Sequence, residues 1–109
     1  METPAVVILC TCPDQAIAER IAATVVDERL AACVNLAPGL VSFYRWEGQI
    51  QRDTELLLLI KTRADLYPAL EARLRALHPY QTPEIIALPI QAGLAAYLDW
   101  IRDSTEAPS

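Results

Sequence analysis

The chain is poor in basic residues and has no basic cluster. Its 109 residues include nine Lys and Arg against fourteen Asp and Glu, which gives a formal net charge of −5. Lys61 is the only lysine, and the arginines are scattered singly along the sequence. A protein that binds nucleic acid non-specifically needs a basic surface that displaces counterions from phosphates. The composition therefore argues against that class, and we expect no nucleic-acid partner.

Long apolar segments are also missing. A transmembrane helix needs roughly 18 consecutive apolar residues, and no stretch approaches that length. The apolar run from Ala5 to Cys10 is too short for the hydrophobic region of a signal peptide, and no basic residue precedes it. We therefore expect a cytoplasmic protein with no membrane partner.

Cysteines are few and do not form a known pairing motif. The three present, Cys10, Cys12 and Cys33, are an odd number and indicate reduced thiols rather than a disulfide framework. One residue separates Cys10 from Cys12, which is not the spacing of a zinc knuckle or a redox Cys-x-x-Cys pair. Cys33 lies in an apolar run and is expected in the core. With 53% hydrophobic residues, positions 1–109 read as a single globular domain.

The apolar pattern predicts four strands and three helices. Strands are expected over 5–11, 32–46, 49–62 and 85–90, with a bend at Pro38-Gly39 and a hairpin turn at Glu47-Gly48. Helices are expected over about 13–30, over 65–77 with Asp65 as N-cap, and from Gly93 onward. Right-handed crossovers and the central hairpin indicate an α+β, ferredoxin-like βαββαβ sandwich with an extra C-terminal helix. Its antiparallel sheet should have strand order 4-1-3-2.

The apolar stretch from Leu56 to Ile60 predicts an oligomer. An antiparallel strand with one solvated face should alternate apolar and polar residues, and this stretch does not. The two main helices cover one face of the sheet, so a neighbouring subunit is expected on the other. The strands also exceed the usual length of about five or six residues and could overhang and pair with a neighbour. In the alternative, the last helix folds back as a partial lid.

Several motifs in a fixed order resemble those of a known family. They extend over nearly the whole chain, from about Val6 to Ile101. The motifs are Ala32-Cys33-Val34-Asn35, Pro38-Gly39, Tyr44-x-Trp46-x-Gly48, Glu55, Lys61-Thr62, His78-Pro79-Tyr80, Pro83-Glu84 and Tyr97-x-x-Trp100. With them the chain resembles the divalent-cation tolerance proteins, the CutA family.

The resemblance implies both an assembly and a function. The implied assembly is a homotrimer whose sheets pack edge to edge and face to face, which agrees with the oligomer expected from the apolar strand. Its architecture is similar to that of the trimeric PII-type signalling proteins, which bind small ligands in clefts between subunits. The implied function is tolerance of copper and other divalent metals, with copper binding in bacteria and anchoring-type protein partnerships in animals.

A metal site is expected where the first strand ends. In the 4-1-3-2 order that end, with Cys10 and Cys12, lies near the loop that carries His78, and thiolate and imidazole are suitable donors for copper. The resemblance implies copper ligands at Cys10, Leu77 and His78. Leu77 cannot bind metal, so binding should be weak unless water, Cys12 or a neighbouring chain contributes. In the alternative, Cys10 is a small buried hydrophobe and His78 a hydrogen-bonded helix terminator.

A second set of residues is a candidate for an intersubunit cleft or ligand site. It consists of Trp46, Lys61, Tyr80, Glu84 and Trp100. The two tryptophans could instead be core or subunit contacts, and Glu84 could pair with Lys61 or an arginine across an interface.

Catalysis is not expected. His78 and Glu84 could act as acid and base, but there is no nucleophile elbow, glycine-rich phosphate loop or His-x-x-x-His pair. We therefore expect a copper-binding homotrimer that acts in the response to metal ions. The alternative is a PII-like regulatory or scaffold trimer that binds a small anion or a protein partner.

Overall fold

The computed structural model describes residues 4–107, which form one antiparallel sheet and three α-helices. In chain order the elements are β1 (Ala5–Cys12), α1 (Gln15–Asp27), β2 (Cys33–Trp46), β3 (Gln49–Arg63), α2 (Tyr67–Leu77), β4 (Ile85–Pro89) and α3 (Ala95–Ser104). The strand order is β2-β3-β1-β4, the predicted order read from the opposite edge. The predicted topology is therefore confirmed. None of the helices in residues 4–107 has the length and apolarity to cross a bilayer.

The ends of α1 differ slightly from the prediction. The helix begins at Gln15 because Asp14 is its N-cap, with a carboxylate oxygen that accepts from the Ile17 N–H at 2.9 Å. It ends at Asp27 rather than near Leu30. Arg29 adopts a left-handed backbone with φ 59°, and the N–H of Leu30 turns back to the Val25 carbonyl, which is a helix-terminating pattern.

The other two helices also begin later than predicted. Asp65 is not the N-cap of α2; it lies in a 3₁₀ turn over Ala64–Leu66, and its carboxylate contacts Arg63 at 3.6 Å. The helix itself starts at Tyr67, with Pro68 in its first turn as expected. Similarly, Leu94 has an extended backbone and is the N-cap of α3, so that helix starts after Gly93.

The hydrophobic core lies between α1, α2 and one face of the sheet. Alternate residues of β1 and β3 point into it, while α1 and α2 contribute residues spaced three or four apart. The fully buried members with the largest side chains are Ile8, Ile21, Val25, Leu58, Ile60, Leu70 and Leu74. Cys10 and Cys12 belong to the same cluster and are also fully buried. The first strand therefore carries two thiols into the core.

The opposite sheet face is apolar and only partly covered. Leu57 and Leu59, the odd-numbered residues of the predicted non-alternating stretch, lie there and are half-buried. On the edge strand β4, which pairs with β1, Ile86 and Leu88 share this face and are 48% and 44% exposed. The stretch thus alternates in burial although it does not alternate in residue type.

Part of this second face is covered by α3, which lies against β3 and β1. Burial and the neighbouring Cys33 side chain raise the pKa of Tyr97, and Ile101 of the same helix is fully buried. Cys33 is half-buried here rather than in the core, because it pairs in register with Lys61 on the face away from α1 and α2. The last helix is therefore a partial lid, as the alternative had it.

The β2–β3 hairpin extends beyond the rest of the sheet. Its strands pair from Cys33 to Trp46 with a bulge between Ala37 and Leu40, at the predicted bend. Glu47 and Gly48 both have positive φ (50° and 80°), which matches the twist of a two-residue hairpin turn. Because β1 pairs only with the second half of β3, as far back as Leu56, the tip of the hairpin has no third strand beside it.

Leu58 offers a test of this core. Leu58→Ala should lower the free energy of unfolding by about 2–5 kcal/mol, because the deletion leaves a cavity between the sheet and the helices. Val26→Ala, on the exposed side of α1, should change it by less than about 0.5 kcal/mol. Denaturant unfolding at one protein concentration measures both, and equal effects would contradict the assigned faces.

Candidate metal centre and adjoining cleft

Three potential metal ligands converge where β1 ends. Cys10 and Cys12 are two residues apart on the strand and therefore point to the same face. His78 directly follows α2, and its backbone N–H caps the helix by donating to the Leu74 carbonyl at 2.9 Å. The two sulfurs and an imidazole nitrogen all lie within 4.8 Å of one another, and all three residues are buried. The structure thus brings Cys10 and His78 together and adds Cys12 to them.

Hydrogen bonds occupy both nitrogens of the His78 ring. Nδ1 accepts from the Tyr80 N–H at 3.2 Å, and Nε2 lies 2.7 Å from the Thr11 carbonyl oxygen. Because Nδ1 is the acceptor, the ring proton is on Nε2 and is donated to Thr11. The Cys12 sulfur lies 3.9 Å from the same Nε2. In this state His78 ties the end of α2 to the end of β1, which is the structural role that the sequence had left open.

The two thiols differ in acidity although they are neighbours. A hydrogen bond to Cys12 and burial together raise the pKa of Cys10 far above its usual range. The same hydrogen bond, with Cys10 as donor, lowers the pKa of Cys12 against the opposing effect of burial. Cys12 is thus the sulfur that ionises first. Sequence reasoning treated it as an auxiliary ligand, although its two-residue offset from Cys10 already placed both thiols on one face.

This donor set fits a soft metal ion. Two thiolates and one imidazole are donors that favour Cu(I) and Zn²⁺ over hard cations. Leu77, at the position where the resemblance implies a third ligand, packs against the hydrophobic core instead. In this chain Cys12 would supply the third donor atom that Leu77 lacks.

A cleft of about 600 Å³ adjoins the donor cluster on the side of the hairpin. Tyr44 and Trp46 of β2, Glu55 of β3, and Tyr80 and Glu84 of the loop before β4 are among the residues that line it. The cleft therefore contains three of the predicted ligand-site residues, Trp46, Tyr80 and Glu84.

Tyr80 connects the cleft to the cluster. Its ring centroid lies 4.7 Å from that of His78, and its hydroxyl donates to Glu55 Oε2 at 2.9 Å. Burial and this carboxylate raise the pKa of Tyr80, so its phenol remains a hydrogen-bond donor at neutral pH. Glu55 was noted in the sequence only as part of a motif, but its side chain is just 6% exposed. Its place directly before an apolar strand segment was the available signal for burial.

Lys61 and Trp100 lie outside this cleft. Lys61 is at the opposite end of β3, where its ammonium group contacts the Asn35 side chain. Trp100 stacks on Tyr97 within α3, with ring centroids 5.5 Å apart. Within one chain, then, the described residues do not bring Glu84 near Lys61 or the two tryptophans together.

Comparisons with known proteins agree with the fold and the motifs. The family model described as CutA1 divalent ion tolerance protein matches residues 6–104. The divalent-cation tolerance protein CutA of Thermus thermophilus is 54% identical over 99 residues, which cover 91% of this chain and 96% of that protein. The human protein CutA is 50% identical over 99 residues, and the match spans only 55% of its length.

Solved structures give the same result. The crystal structure of CutA from Xylella fastidiosa superposes with a TM-score of 0.93 at 48% identity, covering 95% of this chain and all of that one (100%). The likeness thus extends from the local motifs to the backbone of 95% of the chain.

The acidity of Cys10 leads to a labelling prediction. Because its pKa is raised and it is fully buried, iodoacetamide at pH 8 should modify Cys10 only as fast as the protein unfolds. In urea, where the same thiol is exposed, labelling should be fast. Peptide mapping by mass spectrometry follows the reaction, and equal Cys10 labelling rates in buffer and in urea would overturn the assignment.

Proposed function

Because the chain belongs to the CutA1 divalent ion tolerance protein family, we propose that it acts in the response to metal ions by binding copper as a cytoplasmic homotrimer. The observation that supports copper most directly is the cluster of two thiols and one imidazole within 4.8 Å. Copper, especially as Cu(I), favours these soft donors. Reduced thiols fit a cytoplasmic location. The proposal includes no catalytic activity and no nucleic-acid partner.

Cys10, Cys12 and His78 would hold the ion. A copper ion supplies a soft Lewis acid, and the chain supplies the donors and a buried apolar setting. The pKa of Cys12 is lowered, so this thiol ionises more readily, whereas the pKa of Cys10 is raised and its thiol must still lose a proton before it can bind as a thiolate. Copper affinity therefore depends on how easily the chain gives up that proton.

The hydrogen bonds of His78 should keep this binding weak. Coordination through Nε2 displaces the ring proton that now goes to Thr11, and a proton moved to Nδ1 would face the Tyr80 N–H. Each lost hydrogen bond opposes binding by about 0.5–1.5 kcal/mol. We therefore propose a site that responds to raised copper levels rather than one that holds copper permanently.

The trimer is supported by surfaces that one chain leaves uncovered. Ile86 and Leu88 are exposed on the second sheet face, which also carries the half-buried Leu57 and Leu59 two strands away. The hairpin tip also exposes large side chains, with Phe43 at 67% and Ile50 at 63%. Exposed apolar surface of this kind marks interaction sites in soluble proteins. Two neighbours, one on the face and one at the hairpin tip, would cover both regions, and the cleft that Phe43 also lines would then lie at the border between subunits.

A second candidate function is that of a PII-like regulator that binds a small ligand. The observation that favours it is the cleft beside the donor cluster. Its volume of about 600 Å³ lies within the range of small-molecule sites, and its wall combines aromatic rings with a few polar groups. This function does not require copper, so the two candidates can be tested separately.

Copper binding can be tested with cysteine variants. The parent protein should take up one Cu(I) per chain in competition with a chromogenic chelator, and Cys12→Ser should weaken binding about tenfold or more, because it removes the most readily ionised sulfur. Cys33→Ser is the matched control, since this cysteine lies outside the cluster. If Cys33→Ser weakens binding as much as Cys12→Ser, the proposed site is wrong.

Assembly can be tested on the second sheet face. Light scattering should give about three times the chain mass of 12.1 kDa for the parent. Ile86→Glu should reduce this mass without unfolding the chain, because the side chain is already half-exposed in one subunit. Val26→Glu, on the exposed side of α1, should leave the trimer intact. A parent protein with the mass of one chain would refute the trimer.

A further inference from the structure

The cleft beside the donor cluster has an unbalanced negative charge. Glu55 and Glu84 line it, and no lysine, arginine or histidine is among the described residues that do so. A third carboxylate, that of Asp53, accepts the hydroxyl of Tyr44 at the same wall. An anionic ligand would therefore meet repulsion and find no positive group to pair with. The cleft is negatively charged, whereas the small anion that the sequence analysis considered as a ligand would need a positively charged site.

Glu55 carries the most deeply buried of these unpaired negative charges. Its side chain is 6% exposed, and its hydrogen-bond partner is the neutral phenol of Tyr80. Within the described part of the chain, Glu55 forms no salt bridge. Buried carboxylates are ordinarily paired with a cation, because an uncompensated charge loses its hydration. A positive group that enters the cleft would supply the missing partner.

Arg52, the basic residue of β3 nearest to Glu55 in sequence, does not pair with that carboxylate. Arg52 is paired with Phe43 in register, and its guanidinium carbon lies 5.9 Å from the centroid of that ring. Successive strand residues point to opposite faces, so Arg52 lies on the other face from Asp53 and Glu55. The Phe43 ring that it contacts lines the cleft, but Arg52 itself does not. No basic side chain of residues 4–107 therefore forms a salt bridge with Glu55, and a counter-charge would come from outside these residues.

Aromatic rings and size indicate what kind of cation fits. Tyr44, Trp46 and Tyr80 line the cleft together with Glu55, and aromatic faces attract organic cations. A volume of about 600 Å³ suits a small molecule rather than a bare ion. Moreover, the one group of three or more metal-ligating side chains found in the described residues is the Cys10, Cys12 and His78 cluster. The carboxylates of the cleft thus do not form a metal cage.

We propose that this cleft binds a small organic cation, with its ammonium group at Glu55 and its carbon skeleton against the aromatic rings. The inference rests on the second function proposed above and narrows its ligand to an amine or quaternary ammonium compound. Glu55 supplies the buried charge, Trp46 and Tyr80 supply apolar and cation–π contact, and the more exposed Glu84 adds to the attraction at the entrance.

Three probes of similar size and different charge test the proposal: n-butylammonium, n-butyrate and n-butanol. The chain has two tryptophans, so the indole N–H signals of the full-length protein report on the cleft (Trp46) and on a distant site (Trp100). Trp100→Phe assigns them. Butylammonium should shift the Trp46 signal saturably and leave that of Trp100 unchanged, and butyrate and butanol should bind at least about fivefold more weakly, because they lack the charge that pairs with Glu55.

Two charge-removing variants make the test specific. Glu55→Gln should weaken butylammonium binding about tenfold or more, and the amide oxygen can still accept from Tyr80, so the fold should persist in thermal unfolding. Glu47→Gln is the matched control. It removes the same charge one residue from Trp46, in the turn and outside the cleft lining, and should leave binding unchanged.

Other results would overturn the inference in distinguishable ways. Saturable binding of butyrate in preference to butylammonium would leave a ligand-binding function standing and refute the organic cation. No shift with any probe would refute both the organic-cation proposal and the ligand-binding function of this cleft. No shift together with dissociation of the assembly in Glu55→Gln would show that a basic side chain of a neighbouring copy occupies the cleft, which also overturns the proposal.

Discussion

One hydrogen bond organises the end of the molecule that carries the donor cluster and the cleft. It joins His78 Nε2 to the Thr11 carbonyl oxygen at 2.7 Å. It fastens the end of α2 to the end of the central strand, and it fixes the ring nitrogen beside the two sulfurs. Through Nδ1 the same ring orients the backbone of Tyr80, whose hydroxyl in turn reaches Glu55. One imidazole therefore positions both the donor cluster and the wall of the cleft.

The fold could be predicted because its determinants are local. Two segments with helical apolar spacing, the hairpin turn at Glu47-Gly48 and the rule of right-handed crossovers leave few possible topologies for four strands. The nearness of Cys10 and His78 followed from that topology, since adjacent antiparallel strands bring the end of one beside the start of the next. The first residues of the helices were harder to predict from the sequence. They depend on single side-chain contacts, such as the ion pair between Asp65 and Arg63.

What the sequence could not reveal depends on three-dimensional neighbours. Whether Cys12 or Cys10 ionises first follows from the direction of one hydrogen bond between them. Whether Glu55 has a cationic partner depends on the face of the hairpin to which the Arg52 side chain points. Lys61 and Trp100 belonged to the family motifs, yet they lie on surfaces away from the cleft, because a motif gathers residues by their order in the chain and not by their place in the fold. The role of each residue was therefore visible only once its surroundings were known.

The pairing of β1 has a consequence for how the chain is made. Its partners lie far along the sequence: Val6 pairs with Thr62 on one side and with Pro89 on the other. The β2–β3 hairpin can close early, because a two-residue turn joins its strands, whereas long-range pairings form slowly. On the ribosome, β1 therefore has no partner strand until β3 has emerged. Until then the nascent chain carries an unpaired apolar strand, and this is the period in which chaperones matter most to it.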